Sequence, residues 1–153
     1  MSVYLVRHAK AGERDEWRGD DRLRPLSTPG RRQAQGLVQT LKKAKIERIL
    51  SSPYIRCIDT VRPLAEARGL KVETSDQLAE GAGVDSVLRL VKQLAGHNVV
   101  LCTHGDVMQE TVEHLARSGI IPPSRRDDMA KGATWVLEEK GGTVTGADYL
   151  PAP

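Results

Sequence analysis

Short apolar runs that end in polar, chemically reactive residues are the main feature of this chain. Residues 3–6 (Val-Tyr-Leu-Val) lead directly into Arg7 and His8, and residues 99–102 (Val-Val-Leu-Cys) lead through a threonine into His104. A continuous apolar run of this length is typical of a strand covered on both faces, as in a parallel sheet. Because open α/β sheets build their sites at the carboxyl ends of strands, the two histidines are predicted to meet in one pocket.

A third run, residues 46–50, ends in Ser51 and Ser52, and Arg56 follows shortly afterwards. The planar guanidinium groups of Arg56 and of the arginine before His8 match the oxygens of a phosphate. A neutral imidazole can attack phosphorus and carry the phosphoryl group, and neighbouring positive charge favours the neutral form of a histidine. These residues therefore predict a phosphate pocket in which His8 is the nucleophile and a backbone carbonyl fixes its tautomer.

Periodicities typical of strands and of helices alternate along most of the chain. Strands are predicted at residues 3–6, 46–50, 71–74 and 99–102, followed by a hairpin of residues 134–137 and 143–149. Helices are predicted to begin near residues 28, 52, 84 and 106 and to end near residues 41, 68, 94 and 117. The alternation predicts a single domain, residues 1–153, with an α/β fold: a three-layer α/β/α sandwich with a mostly parallel central sheet and an antiparallel edge.

The composition argues against several classes of protein. Aromatic residues make up 3% of the chain and phenylalanine is absent, so no aromatic surface for stacking a single-stranded nucleic acid is expected. The net charge of +3 is small, and no block of lysine and arginine indicates a nucleic-acid polymer as partner. No apolar run reaches the length of a membrane span, and the amino terminus lacks the pattern of a signal peptide. The two cysteines predict no disulfide framework, which favours a cytoplasmic protein.

Further polar residues are predicted to complete the pocket. His104 would donate to the oxygens of the transferring phosphoryl group, and the helix that follows it would present its amino terminus to an anion. Residues 9–26 form a polar segment that is too long for an ordinary connection, which indicates a functional loop. The predicted substrate-binding residues are Lys10, Ser51, Ser52 and Gly105.

The leaving group of a phosphate ester needs a proton. Glu80 lies in a glycine-flanked loop after the strand predicted at residues 71–74. There its carboxyl group could protonate the ester oxygen and then deprotonate the attacking water. Asp106, two residues after His104, is the alternative acid. No pair of histidines or cysteines has the spacing of metal ligands, so no metal site is predicted.

Several of these motifs occur in an order that resembles a known family. They are Leu5–Ala9, Leu26 with Gly30 and Gln33-Ala34, Ser51–Pro53 with Arg56 and Thr60, Thr103–Gly105, and Gly132–Leu137. This order is similar to that of the histidine phosphatase (phosphoglycerate-mutase-like) superfamily and covers nearly the whole chain. The small size, with Lys10, Gly12 and Asp20-Asp21-Arg22, most resembles the compact SixA-like branch and the phosphatase domain linked to some Nudix hydrolases.

The resemblance implies that His8 is phosphorylated during the reaction. Arg7, Arg56 and His104 would bind the phosphoryl group, and Glu80 would occupy the acid/base position. In this chain Glu80 is followed by a Gly-Ala-Gly sequence, whereas a continuation that contains tryptophan is common among the broader phosphatases.

Residues and resemblance together predict a metal-independent phosphatase without a cofactor, which hydrolyses a phosphomonoester or a phosphohistidine through phospho-His8. Its partner would be a phosphorylated small molecule, a nucleotide or a phosphohistidine protein. Two alternatives remain: a non-catalytic module that binds a phosphorylated ligand or protein, and a phosphoglycerate mutase. The intact nucleophile argues against the first alternative, and the short chain argues against the second.

Overall fold

The computed structural model describes the whole chain, residues 1–153. The strands are β1 (Ser2–Arg7), β2 (Arg48–Ser51), β3 (Val72–Thr74), β4 (Val99–Thr103), β5 (Thr134–Lys140) and β6 (Thr143–Leu150). The α-helices are α1 (Thr28–Thr40), α2 (Ile55–Arg68), α3 (Val84–Gln93) and α4 (Gly105–Arg117). Short 3₁₀ turns lie at Arg14–Glu16, Asp21–Leu23, Asp76–Leu78 and Pro123–Arg125.

All six strands form one sheet in the order β3-β2-β4-β1-β5-β6. Strands β3, β2, β4 and β1 pair in parallel, whereas β5 pairs antiparallel with β1, and β6 pairs antiparallel with β5. The predicted mostly parallel sheet with an antiparallel edge is confirmed. The parallel pairing places the carboxyl ends of β1, β4 and β2 side by side.

Helices cover both faces of the sheet. On one face α1 and α2 pack through an apolar cluster that includes Val6, Val100 and Cys102. On the other face α3 and α4 pack through a cluster that includes Leu5 and Leu101. Successive residues of β1 and β4 point to opposite faces and both faces are buried, so these strands are apolar at consecutive positions. The predicted three-layer α/β/α arrangement is confirmed.

Local hydrogen bonds set the helix starts near the carboxyl end of the sheet. The Ser27 hydroxyl accepts from the backbone N–H of Gly30 (3.2 Å) and caps α1. Helix α2 begins at Ile55, later than the start predicted at Ser52. The reason is that the backbone N–H of Ser52 still donates to the carbonyl of Cys102 in the sheet (3.0 Å).

The antiparallel edge is longer than predicted because Glu139 ties it to the rest of the sheet. The backbone N–H of Glu139 donates to the Met1 carbonyl (2.8 Å), and its buried carboxylate accepts from the N–H groups of Gly96 (2.8 Å) and Gly142 (2.9 Å). These bonds extend β5 to Lys140. None of the helices combines the length and the apolar character needed to span a bilayer.

Candidate active site

The carboxyl ends of β1 and β4 border one open cleft of about 440 Å³. His8, which follows β1, and His104, which follows β4, both line it, and their ring centroids are 5.5 Å apart. The backbone N–H of His8 donates to the Thr103 carbonyl (3.0 Å), which continues the pairing of the two strands up to the first histidine. The charged residues of the lining are Arg7, Arg14, Arg24 and Lys131, and Glu13, Glu80 and Asp106. The two histidines thus meet in one pocket.

A backbone carbonyl fixes the orientation of the His8 ring. The Nδ1 atom lies 2.8 Å from the carbonyl oxygen of Ala9, the next residue, and it can only donate to that acceptor. The carbonyl is held in turn, because the backbone N–H of Ala9 donates to the Thr60 hydroxyl (2.9 Å) and that hydroxyl donates to the Arg56 carbonyl (2.7 Å). With Nδ1 protonated, the neutral ring carries its lone pair on Nε2.

The surroundings of His8 keep its ring neutral. Burial disfavours the imidazolium and, with the nearby charges of His104, Arg56 and Arg7, lowers the pKa of His8 from 6.5 to about 3, although the hydrogen bond to Ala9 opposes this shift. The side chain is only 7% exposed, so water does little to stabilise the charged form. His8 is therefore neutral over the whole physiological pH range.

This pKa shift makes a prediction about acid titration. In NMR spectra recorded from pH 8 to pH 4, the His8 ring is expected to remain the neutral Nδ1–H tautomer, because its folded pKa is about 3. Between the ordinary pKa of 6.5 and about 3 the unfolded chain binds a proton that the folded chain does not, so acidification destabilises the fold. The wild type should lose up to about 1.4 kcal/mol of unfolding free energy per pH unit more than His8→Asn in this window. A His8 titration midpoint between pH 6 and pH 7 would contradict the assignment.

His104 is oriented by a serine and a tyrosine. The Ser52 hydroxyl accepts from the backbone N–H of Tyr54 (3.2 Å) and lies 2.8 Å from Nε2 of His104. The same Nε2 lies 3.5 Å from Sγ of the buried Cys57, whereas Nδ1 has no partner within the protein. The Tyr54 ring packs edge-on against the imidazole, with the centroids 4.6 Å apart. His104 therefore has one ring nitrogen, Nδ1, that is free for a ligand.

Arg7 is held across the start of α4. Its Nη1 donates to the carbonyl of Met129 (2.7 Å). The guanidinium lies so close to Gly105 that a Cβ atom at position 105 would stand 2.6 Å from Nη2. Gly105 is thus required for the close approach of Arg7 to the amino terminus of α4, a region that carries partial positive charge and favours an anion.

Arg56 is buried, with 1% of its surface exposed. Its Nη1 donates to the backbone carbonyl of Asp21 (2.8 Å) and its Nη2 donates to the Asp21 carboxylate (3.1 Å). The guanidinium carbon lies 5.0 Å from the centre of the Tyr54 ring. Both terminal nitrogens are used within the protein and Nε has no partner, and Arg56 itself is not among the residues that line the cleft.

Unsatisfied donors concentrate in this region. Of the four buried side-chain polar atoms without a partner, three are Nε of Arg7, Nε of Arg56 and Nδ1 of His104. Buried polar groups in folded proteins are nearly always paired, and an unpaired buried donor costs about 1–3 kcal/mol. The two arginine Nε–H donors and the histidine Nδ1 all belong to residues predicted to bind a phosphoryl group, and two unpaired cationic donors favour an anion there.

The two candidate acids have different surroundings. Glu80 lines the cleft, with its carboxylate 3.2 Å from Nη2 of Arg14 and 3.7 Å from Nη2 of Arg56. Asp106 also lines the cleft, but its carboxylate accepts from the backbone N–H of Gly81 (2.8 Å). Asp106 therefore fastens the loop that carries Glu80, while Glu80 keeps its carboxylate beside the arginines.

The four predicted substrate-binding residues do not all reach the cleft. Gly105 lines it, and Ser52 contacts His104 instead. The Ser51 hydroxyl donates to the carbonyl of Ser52 (2.9 Å) and is fully buried outside the lining. The exposed Lys10 also lies outside the lining.

The sequence does not predict the contacts that residues of the long loop make with Arg56 and Glu80. Asp21 contacts Arg56, Arg14 contacts Glu80, and the buried Arg24 donates from Nε to the Asp21 carboxylate (3.0 Å). The Asp20-Asp21-Arg22 pattern marked this loop, but nothing in it shows which acid faces the site. Tyr54, between His104 and Arg56, was also not singled out.

The chain is similar to several known proteins. The model of the histidine phosphatase superfamily (branch 1) matches residues 3–86. An 8-oxo-(d)GTP phosphatase of Mycolicibacterium smegmatis is 34% identical over 99% of this chain and 48% of its own length, so the chain spans about half of that relative. A phosphohistidine phosphatase SixA homolog of Haemophilus influenzae is 29% identical over 75% of this chain and 77% of its own length.

Solved structures show the same fold. The protein histidine phosphatase SixA, solved in complex with tungstate, superposes with a TM-score of 0.77 at 21% identity and covers 98% of this chain and 94% of its own. At that identity the likeness concerns the fold. Since the family match spans more than half of the residues and the fold agrees with it, the chain belongs to the histidine phosphatase superfamily.

Proposed function

We propose that the protein is a phosphatase that works through a covalent phospho-His8 intermediate and needs neither metal nor cofactor. The observation that carries the proposal is the state of His8: Nδ1 donates to the Ala9 carbonyl, and the low pKa keeps Nε2 unprotonated beside two arginines. In the first step the Nε2 lone pair forms a bond to phosphorus while the bond from phosphorus to the leaving group breaks. In the second step water attacks the same phosphorus, His8 leaves with its lone pair, and inorganic phosphate is released.

Arg7, Arg56 and His104 form the phosphate clamp of the proposed mechanism. Their unpartnered donors, two guanidinium Nε–H groups and one imidazole Nδ1–H, supply hydrogen bonds to the equatorial phosphoryl oxygens. Fixed positive donors stabilise the charge that is spread over these oxygens in the transition state, and they need no reorganisation during the reaction. The amino terminus of α4 beside Gly105 adds a favourable dipole.

Glu80 is the proposed acid and base of the two steps. Its carboxyl group protonates the leaving oxygen in the first step and takes a proton from the attacking water in the second. Asp106 is assigned a supporting role, because its carboxylate is engaged by the N–H of Gly81.

The role of Glu80 predicts a dependence on the leaving group. Glu80→Gln should lower kcat/KM for an alkyl phosphate by about 10²–10⁴-fold, since an alkoxide leaves poorly without a proton. The loss should be much smaller for an aryl phosphate with an acidic phenol. Asp106→Asn is the comparison variant: its Oδ1 can still accept from the Gly81 N–H, so its loss on the alkyl phosphate should be much smaller than that of Glu80→Gln. Equal losses on both substrates for Glu80→Gln would contradict the role of Glu80 as the general acid.

Stereochemistry at phosphorus tests the two-step mechanism. Two successive in-line displacements should convert a chiral phosphomonoester to inorganic phosphate with net retention of configuration. Direct attack by water on the substrate would give inversion, and that result would contradict a phospho-His8 intermediate.

Two substrate classes receive support from the relatives. The relative that aligns with 99% of this chain is an 8-oxo-(d)GTP phosphatase, which favours a nucleotide. The relatives named for SixA favour a phosphohistidine on a protein. Side-by-side kcat/KM values for nucleotides, a phosphohistidine peptide and sugar phosphates would decide between them, and a preference for sugar phosphates would contradict both.

A further inference from the structure

We infer that Asp21 is the positioning residue of the phosphate clamp: it holds the Arg56 guanidinium by both terminal nitrogens and leaves Nε for the substrate phosphoryl group. The inference rests on the proposed function and deepens it. Asp21 lies in the long loop before α1, at the start of the 3₁₀ turn Asp21–Leu23.

The contact between Asp21 and Arg56 uses two different acceptors of one residue. The Asp21 backbone carbonyl accepts from Nη1 of Arg56 (2.8 Å), and the Asp21 carboxylate accepts from Nη2 (3.1 Å). These two bonds fix the plane of the guanidinium as well as its position. The next carboxylate, that of Glu80, lies 3.7 Å from Nη2. A buried guanidinium needs a close counter-charge, and Asp21 is the closer of the two.

Asp21 is itself held in place from the loop side. Its carboxylate accepts from Nε of Arg24 (3.0 Å), whose side chain is 9% exposed and also donates to the Gly12 carbonyl. Burial disfavours ionisation of Asp21, but hydrogen bonds and charge from Arg24 and Arg56 outweigh it, so the pKa of Asp21 lies below its ordinary value. The carboxylate is therefore charged wherever the enzyme works, and it joins the loop to α2.

Without this carboxylate, Arg56 has a competing partner. The Glu80 carboxylate is the remaining acceptor near Nη2, so the guanidinium would turn toward it. That rotation would change the direction of the free Nε–H that we assign to the phosphoryl group, and it would place a second arginine on the proposed acid, which Arg14 already contacts. Asp21 thus keeps the phosphate clamp and the acid apart.

The neighbouring Asp20 is a matched control. It has the same side chain in the same loop, but it pairs with the exposed Arg22 (2.8 Å) and lies outside the lining of the cleft. The Asp20 carboxylate also caps the turn Asp21–Leu23 by accepting from the backbone N–H of Arg22 (3.0 Å), and asparagine can keep that bond. Asp20→Asn should therefore leave phosphate binding and kcat/KM within about twofold of the wild type, as expected for an exposed pair.

The test compares binding of inorganic phosphate by calorimetry with kcat and KM on an aryl phosphate. Asp21→Asn, which keeps the backbone carbonyl, should raise the Kd for phosphate and lower kcat/KM by about tenfold or more. Asp21→Glu keeps the charge and should retain more phosphate affinity than Asp21→Asn. Unchanged phosphate affinity in Asp21→Asn, or a weaker Asp21→Glu than Asp21→Asn, would overturn the inference.

A double-variant comparison separates positioning from a purely structural role. If Asp21 acts through Arg56, adding Asp21→Asn to Arg56→Ala should not weaken phosphate binding further. An equal loss in both backgrounds would overturn the inference. Phosphate binding requires no turnover, so a wild type that binds phosphate without forming a phosphoenzyme would refute the proposed mechanism and leave the role of Asp21 intact.

Discussion

Replacing His8 with alanine is expected to abolish turnover of even the most reactive aryl phosphate. The loss in kcat/KM should be at least about 10³-fold, because without a nucleophile the clamp can only hold the substrate for direct attack by water. Phosphate binding should survive, because Arg7, Arg56 and His104 remain.

His97→Ala is the control for this experiment. His97 is exposed, and its Nδ1 lies 3.5 Å from the Glu47 carboxylate, away from the cleft, so its loss should not change activity. A His8→Ala protein that keeps wild-type turnover on an aryl phosphate would refute the proposed mechanism.

Removing Arg7 is expected to have the second largest effect. Arg7→Ala should lower kcat/KM by about 10²–10³-fold, because it would delete a charged donor of the proposed phosphate clamp. Gly105→Ala should displace the Arg7 guanidinium without removing it, because the added Cβ would stand 2.6 Å from Nη2 of Arg7. Both variants should also weaken inhibition by inorganic phosphate.

Arg48→Ala serves as the control for the charge change. Arg48 pairs with Glu73 (2.7 Å) between β2 and β3, and it lies outside the cleft. If Arg7→Ala and Arg48→Ala showed the same small loss, Arg7 would have no special role in binding the phosphoryl group.

The strand-end histidines are predictable because their signal is local. An uninterrupted apolar run predicts a doubly covered strand, and the first two residues after it then lie at the ligand edge of the sheet. His8 and His104 both meet this rule, and the structure brings their rings within 5.5 Å. The order of the layers follows from the alternation of predicted strands and helices along the chain, and the predicted fold class is confirmed.

The two serines at the end of β2 show the limit of what a local sequence pattern can predict. Neighbouring residues of an extended chain point to opposite sides, but two consecutive serines at a strand end do not show which one faces the site. In the structure Ser52 contacts His104, whereas the Ser51 hydroxyl turns back to the carbonyl of Ser52. Only the packed neighbours decide between them.

The contact of Asp21 with Arg56 could not be predicted from the sequence for a similar reason. The two residues are 35 positions apart, and the loop between β1 and α1 has no periodic pattern that would place Asp21 rather than Asp20 against α2. Asp21 takes this position because the loop closes over the buried Arg56 guanidinium, which needs a counter-charge. Such contacts follow from tertiary packing and not from local propensity.

The most direct test of the central claim is to trap the phosphoenzyme. The wild type, mixed with a labelled aryl phosphate and denatured in alkali within a single turnover, should carry one phosphoryl group on His8. That label should be stable in alkali, should be lost in acid as expected for a phosphorus–nitrogen bond, and should be absent from His8→Ala. A wild type that hydrolyses the substrate with no trapped label, or with the label on another residue, would contradict the account.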